Sequence, residues 1–159
     1  MIKNSIVIAY VLLFFFSLVA HAGSPAESTG AQAVDEAWLK AVGANDLDAV
    51  VACYSKDAVL WLPGAPEAKG SEAIRKTYTA LLSPNTVTAV TFTNTHYETA
   101  GNLSVGWGDF SITLAPKAGG DSVVLSGRFT VVAKQEDGKW VYIVDHASSR
   151  PAPAPQPKP

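Results

Sequence analysis

The stretch Asp137–Ser148, DGKWVYIVDHAS, decides the fold. Asp137-Gly138 is a two-residue hairpin signal, because both positions tolerate the positive φ that a tight turn demands. The residues after it, Trp140 to Ala147, are dominated by β-branched and aromatic side chains and read as a strand. Its hairpin partner is the run before the turn, Ser122–Gln135. Working outward, Gly119-Gly120-Asp121 separates that run from Leu103–Ala115, and Gly101-Asn102 separates this one from Val87–Thr99. The last run is rich in threonine, at 88, 91, 93, 95 and 99, with Thr86 just before it. Four long strands joined by three tight turns make an antiparallel meander.

Ahead of the meander the periodicity changes. Val34, Ala37, Trp38, Ala41 and Val42 recur at spacings of three and four, which predicts a helix from Ala31, ended by Gly43-Ala44-Asn45. Asp46 is placed to cap a second helix over Leu47–Tyr54, with Asp48 in its first turn. Ala58–Leu62 reads as a short strand stopped by Pro63-Gly64. Ser71 is expected to cap a third helix, whose apolar stripe is Ile74, Tyr78 and Leu81-Leu82. Three helices and a short strand followed by a meander predict an α+β fold, with the helices packed on one face of a curved, mostly antiparallel sheet.

The two ends lie outside this pattern. Lys3, the apolar run Ile6–Val19 and Ala20-His21-Ala22 together have the form of a secretory signal peptide, residues 1–22, cleaved after Ala22. Its apolar run is short of the roughly 20 residues of a membrane span. The expected location is periplasmic or secreted, with no membrane attachment after cleavage. Residues 23–30 are expected to be a linker and residues 31–150 a single domain. The alternating prolines of residues 151–159, PAPAPQPKP, predict an extended, solvated, disordered tail.

Composition narrows the function classes. Twelve Lys and Arg face 14 Asp and Glu, and they are scattered without a basic stripe, so nucleic acid is not an expected partner. There is no Gly-rich phosphate loop and no Gly-x-Ser-x-Gly elbow. With His96 and His146 the only histidines beyond the signal segment, no metal site and no cofactor are expected. Cys53, the single cysteine, reads as a small buried thiol.

Several strings, taken in order, resemble the nuclear transport factor 2-like superfamily in its SnoaL-like branch, whose relatives include ketosteroid isomerases and the association domain of calcium/calmodulin-dependent protein kinase II. They are Asp46–Val50 leading into Tyr54–Val59, then Lys69–Arg75, then Gly127–Val132, then Asp137–Ser148. The resemblance implies a conical half-barrel that wraps its long helix and leaves an apolar cavity open at one end. It also implies a homodimer formed through the outer face of the sheet, or larger assemblies. The catalytic pattern of ketosteroid isomerase does not carry over. The position of the Asp base falls on Leu62, that of the oxyanion Tyr on Trp38, and the second Asp would lie within Val131–Ala133, where there is no carboxylate. Leucine moves no proton, and an indole only donates.

Two readings of function therefore stand side by side. One is a non-catalytic module that binds a small apolar molecule with an acidic or polar end, or that assembles subunits. Its ligand-binding candidates are Arg128 as polar anchor, with Trp38, Trp61, Tyr78, Tyr97 and Trp107 as aromatic walls. A structural ion pair, or a place on an outer face, is the plainer role for Arg128. The other reading is an isomerase, lyase or hydrolase using Asp145 or His146 with Arg128 or Asp109. That requires these groups to meet across one cavity. Asp145 and His146 are neighbours on a strand, so one should face inward and the other outward.

Overall fold

A computed structural model describes residues 28–150. The expected signal peptide, most of the expected linker and the proline-rich tail lie outside the described residues. Three helices, α1 (Gly30–Gly43), α2 (Leu47–Val51) and α3 (Gly70–Leu82), accompany six strands. These are β1 (Tyr54–Trp61), β2 (Ala68–Lys69), β3 (Asn85–Ala100), β4 (Leu103–Pro116), β5 (Val123–Glu136) and β6 (Lys139–Ser149). They form one sheet in the order β2-β1-β6-β5-β4-β3. Every pairing is antiparallel except β1 with β6. This is the α+β architecture expected, with the meander β3–β6 turning where its glycines stand.

The helices lie on one face of the sheet. Val34, Trp38, Ala41 and Val42 of α1, and Ile74, Tyr78 and Leu82 of α3, bury their stripes against Leu60, Phe129, Val131, Ala133 and Tyr142. Asp46 caps α2 as the sequence predicts, its Oδ1 accepting from the Ala49 amide at 3.0 Å. Other details differ from the expectation. The second helix stops at Val51 and the chain is already extended at Tyr54, where the Tyr142 amide donates to the Cys53 carbonyl at 2.8 Å. Pairing with β6 overrides the helical pattern of residues 52–54. Ser71 does not cap α3; the helix begins at Gly70, which takes φ +82, and no side chain caps it.

Two bulges set which residues enter the core. In β3 the register slips by one between Thr93 and His96, with Asn94 at φ 51, so that both Phe92 and Tyr97 turn inward. In β6 Val132 pairs with Val144 but Ala133 pairs with Tyr142, leaving Ile143 as the extra residue. Strict alternation would put Tyr142 and Asp145 on opposite faces. The bulge brings both into the interior, where Tyr142 is 1% and Asp145 8% exposed.

Candidate functional site

A cavity of about 490 Å³ opens between α1, α3 and the concave face of the sheet. Its walls are mostly apolar. Trp38 stacks on Phe92 at 5.4 Å, and Phe92 stacks on Phe129 at 4.3 Å, which builds one aromatic wall from α1, β3 and β5. Among the described residues, Asp145 is the only charged side chain lining the space.

Asp145 ends a chain of hydrogen bonds. The Trp38 indole donates to the Tyr78 hydroxyl at 3.0 Å. The Tyr78 and Tyr54 hydroxyls are 2.6 Å apart, and Tyr54 donates to Asp145 Oδ2 at 2.6 Å. With Asp145 ionised, the direction of this chain is forced. Indole can only donate, and Tyr54 has a single proton, which it gives to Asp145, so Tyr78 must donate to Tyr54. Both phenols are thereby committed. Asp145 Oδ1 has no partner among the described residues, yet no buried side-chain oxygen or nitrogen there is left unsatisfied, so Oδ1 opens onto the cavity. Burial pushes the Asp145 carboxyl up to about 6, against the opposing pull of the Tyr54 hydrogen bond. Burial also raises the Tyr54 and Tyr78 phenols well above their ordinary range, which keeps them protonated as donors.

A second buried carboxylate stands behind the first. Asp35, 1% exposed on α1, accepts from Tyr142 at 2.5 Å and from Tyr97 at 2.9 Å. Burial raises it to about 6, and the nearby Asp145 adds to the rise. The Tyr142 ring lies 5.2 Å from that of Tyr54, so the two acidic clusters share one aromatic partition.

The residues singled out in the sequence divide between the two faces. Trp38, Tyr78 and Asp145 meet in the cavity. Tyr97 is inside, but its hydroxyl serves Asp35 and does not line the cavity. Arg128 is not a cavity anchor. Phe129, Val131 and Ala133 take the inward positions of β5, which leaves Arg128 exposed on the outer face. Asp109 pairs with it there in register, holding Arg150 at 3.0 Å and Asn94 at 2.7 Å. These partners keep Asp109 below the usual carboxylate range, the Asn94 hydrogen bond foremost. His146 also faces out, edge-on to the exposed Trp61, and Trp107 stacks on His96 on the same side. Trp61 and Trp107 are therefore not cavity walls, and a catalytic group joining Asp145 to His146, Arg128 or Asp109 is excluded by the sheet between them.

Tyr54, Asp35 and Tyr142 escaped the sequence reading. Asp35 did leave a signal, since it falls four residues after Ala31 and three before Trp38, on the buried stripe of α1. Tyr54 was hidden by the helical pattern preceding it, and Tyr142 by the bulge.

Comparison with known proteins places this geometry. The SnoaL-like domain family model matches residues 36–143. No curated protein matches the chain. Among solved structures, a Xanthomonas campestris protein provisionally named a calcium/calmodulin dependent protein kinase II association domain superposes with a TM-score of 0.69 at 22% identity, covering 81% of this chain and 94% of that one. A ketosteroid isomerase-like protein from Erwinia carotovora atroseptica gives 0.64 at 22% identity, covering 76% and 93%. A nuclear transport factor 2-like superfamily protein from Salmonella enterica gives 0.66 at 16% identity, covering 77% and 89%. At these identities the likeness is one of fold.

Proposed function

The chain belongs to the SnoaL-like domain family, and we propose that its cavity binds a flat, largely apolar molecule that donates one hydrogen bond to Asp145. The observation that carries this reading is the single carboxylate, with one open oxygen, set in an aromatic-walled space of about 490 Å³. An acidic ligand is disfavoured, because no cation among the described residues faces the cavity and a second anion beside Asp145 would be repelled. Hydroxyl- and amine-bearing aromatics fit in its place, a hydroxyl donating to Oδ1 and an ammonium pairing with it. A second reading, proton transfer, is favoured by the Asp145 carboxyl standing near 6, close to where a general base works best. Its oxyanion donor would have to be Ser126 or Ser149 at the cavity mouth, since Tyr54 and Tyr78 have no free proton.

One experiment separates these readings. Calorimetric titration with 2-naphthol, 2-naphthylmethylamine and 2-naphthoate is expected to show binding of the first two and not the third. Binding of the carboxylate alone, or of none of them, sinks the ligand assignment. Under the second reading, α-deuteration of 2-tetralone in D2O is accelerated by the protein and not by Asp145→Asn. An unaccelerated rate leaves only binding.

Export and self-association belong to the same proposal. The N-terminal pattern supports export, with a mature chain that starts at Gly23. The outer face supports a homodimer. Trp61, His146, Thr130, Trp107 and His96 form one row across five strands, beside a row of half-buried valines, Val59, Val144, Val132 and Val105. Intact-mass and light-scattering measurements on the secreted protein should give a chain beginning at Gly23 and twice its mass. A retained leader or a monomer at all concentrations tells against the respective half.

A further inference from the structure

The outer face of the sheet carries a charge pattern that the cavity does not use. On β4 and β5 the outward residues pair directly across the strands, Asp109 with Arg128, Trp107 with Thr130 and Val105 with Val132. One strand further out on either side, His96 of β3 pairs with Trp107 and His146 of β6 pairs with Thr130. Arg128 is exposed, and among the described residues it holds no ion pair, although it stands in register with a carboxylate. Asp109 instead accepts from Arg150 and Asn94, one on each oxygen. A carboxylate has about four acceptor sites, so each oxygen keeps room for another donor.

We propose that two copies of the chain pack outer face to outer face about a two-fold axis parallel to the strands, midway between β4 and β5, so that Arg128 of each copy binds the partner's Asp109. This register rests on the homodimer proposed above and says how its two faces meet. A two-fold axis lying between two faces sets each residue opposite the one at equal distance on the other side of the axis. Charge chooses among the possible axes. One along β5 would set Arg128 against the partner's Arg128, and one along β4 would set Asp109 against the partner's Asp109. An axis across the strands keeps β4 on the partner's β4, so the opposite charges never meet. They exchange places only about the perpendicular bisector of the line between them, which is the axis proposed. The same axis lays Val105 on the partner's Val132 and Trp107 on the partner's Thr130. It also brings His96 to the partner's His146, where one imidazole can donate to the other. β4 and β5 each lie only about 2.4 Å from the axis, half a strand spacing. Their pairs therefore stay close even when packed sheets cross at about 30°. Two reciprocal charge-assisted pairs then fix the orientation of an otherwise apolar and aromatic contact.

Arg128→Asp and Asp109→Arg, made separately, test it. The wild type is expected to be a dimer in native mass spectrometry and light scattering. Each variant alone should be monomeric at a concentration where the wild type is fully dimeric, because like charges then face each other twice. Mixed one to one, the two variants should regain the dimer mass as a heterodimer, since each supplies the charge the other lacks. Arg128→Ser breaks no ion pair among the described residues and should weaken dimerisation at least about tenfold. It keeps the test decisive if Asp109→Arg does not fold. Single variants that dimerise as the wild type does, Arg128→Ser included, overturn this register and leave the homodimer standing. So do folded variants that stay monomeric when mixed. A wild type that is monomeric at all concentrations overturns both. None of these outcomes bears on the ligand of the cavity.

Discussion

Asp145→Asn should make the protein more stable at pH 7.5, by an amount on the order of 2–3 kcal/mol, while weakening the binding proposed for its cavity. The carboxyl sits at about 6 in the folded chain against an ordinary 3.8, chiefly because it is buried. A rise of that size corresponds to about 3 kcal/mol of disfavoured ionisation. The sign follows from proton uptake. Between pH 3.8 and 6 the folded chain holds a proton that the unfolded chain has lost, so stability is full below 3.8, falls as pH rises through 6, and stays reduced above it. Asparagine keeps an oxygen for the Tyr54 hydroxyl and is never charged. Urea unfolding of both proteins should therefore show a wide gap at pH 7.5 that closes by pH 3.5. A variant less stable at pH 7.5, or a gap independent of pH, would refute the account. Asp35 carries the same sign, with burial again the leading cause and Asp145 adding to it. The wild type should lose stability in two overlapping steps, and the gains from the two Asn variants should not add. A destabilising group kept in a cavity is what a functional carboxylate looks like in energetic terms.

Gly127→Ala should be the most damaging small substitution near the cavity, costing about 3 kcal/mol or more. The backbone of Gly127 has an ordinary φ, so conformational freedom is not the reason. Space is. A Cβ there would stand 1.9 Å from the Ser148 carbonyl oxygen and 2.8 Å from Phe110 Cε1. The ring could turn aside, but the carbonyl belongs to the paired strand and cannot move without parting β5 from β6. That separation falls at the cavity mouth, between Ser126 and Ser149. The variant should show a lower urea midpoint and, where it still folds, weaker binding of 2-naphthol. Ser126→Ala, one residue away and exposed, is the control and should cost under about 0.5 kcal/mol. Equal midpoints for Gly127→Ala and the wild type would show that the strands part easily.

Much of the fold was legible because its signals are local. Asp137-Gly138, Gly119-Gly120-Asp121 and Gly101-Asn102 are turn residues flanked by long β-forming runs, and each turn is found where it was expected. The Asp145–His146 alternation was legible for the same reason. It needs only the two-residue repeat of a strand, and the structure puts Asp145 inside and His146 outside. Arg128 obeys the same alternation, but which of the two faces is the concave one is not a local property. That choice depends on where the helices pack.

The sequence by itself determined the order of every element but β2, the meander, the cap at Asp46 and most of the inward stripe of α1, in which exposed Ala37 gives way to Asp35, because turns, caps and periodicity are properties of a few consecutive residues. Only the tertiary structure decided the site. Tyr54 and Asp145 are 91 positions apart and meet because β1 lies parallel to β6. Tyr142 and Asp145 share the interior because one residue, Ile143, is bulged out of the ladder. A bulge and a parallel pairing are set by the packing of the whole sheet against α1 and α3, and packing is a sum over distant partners that no short stretch of sequence contains.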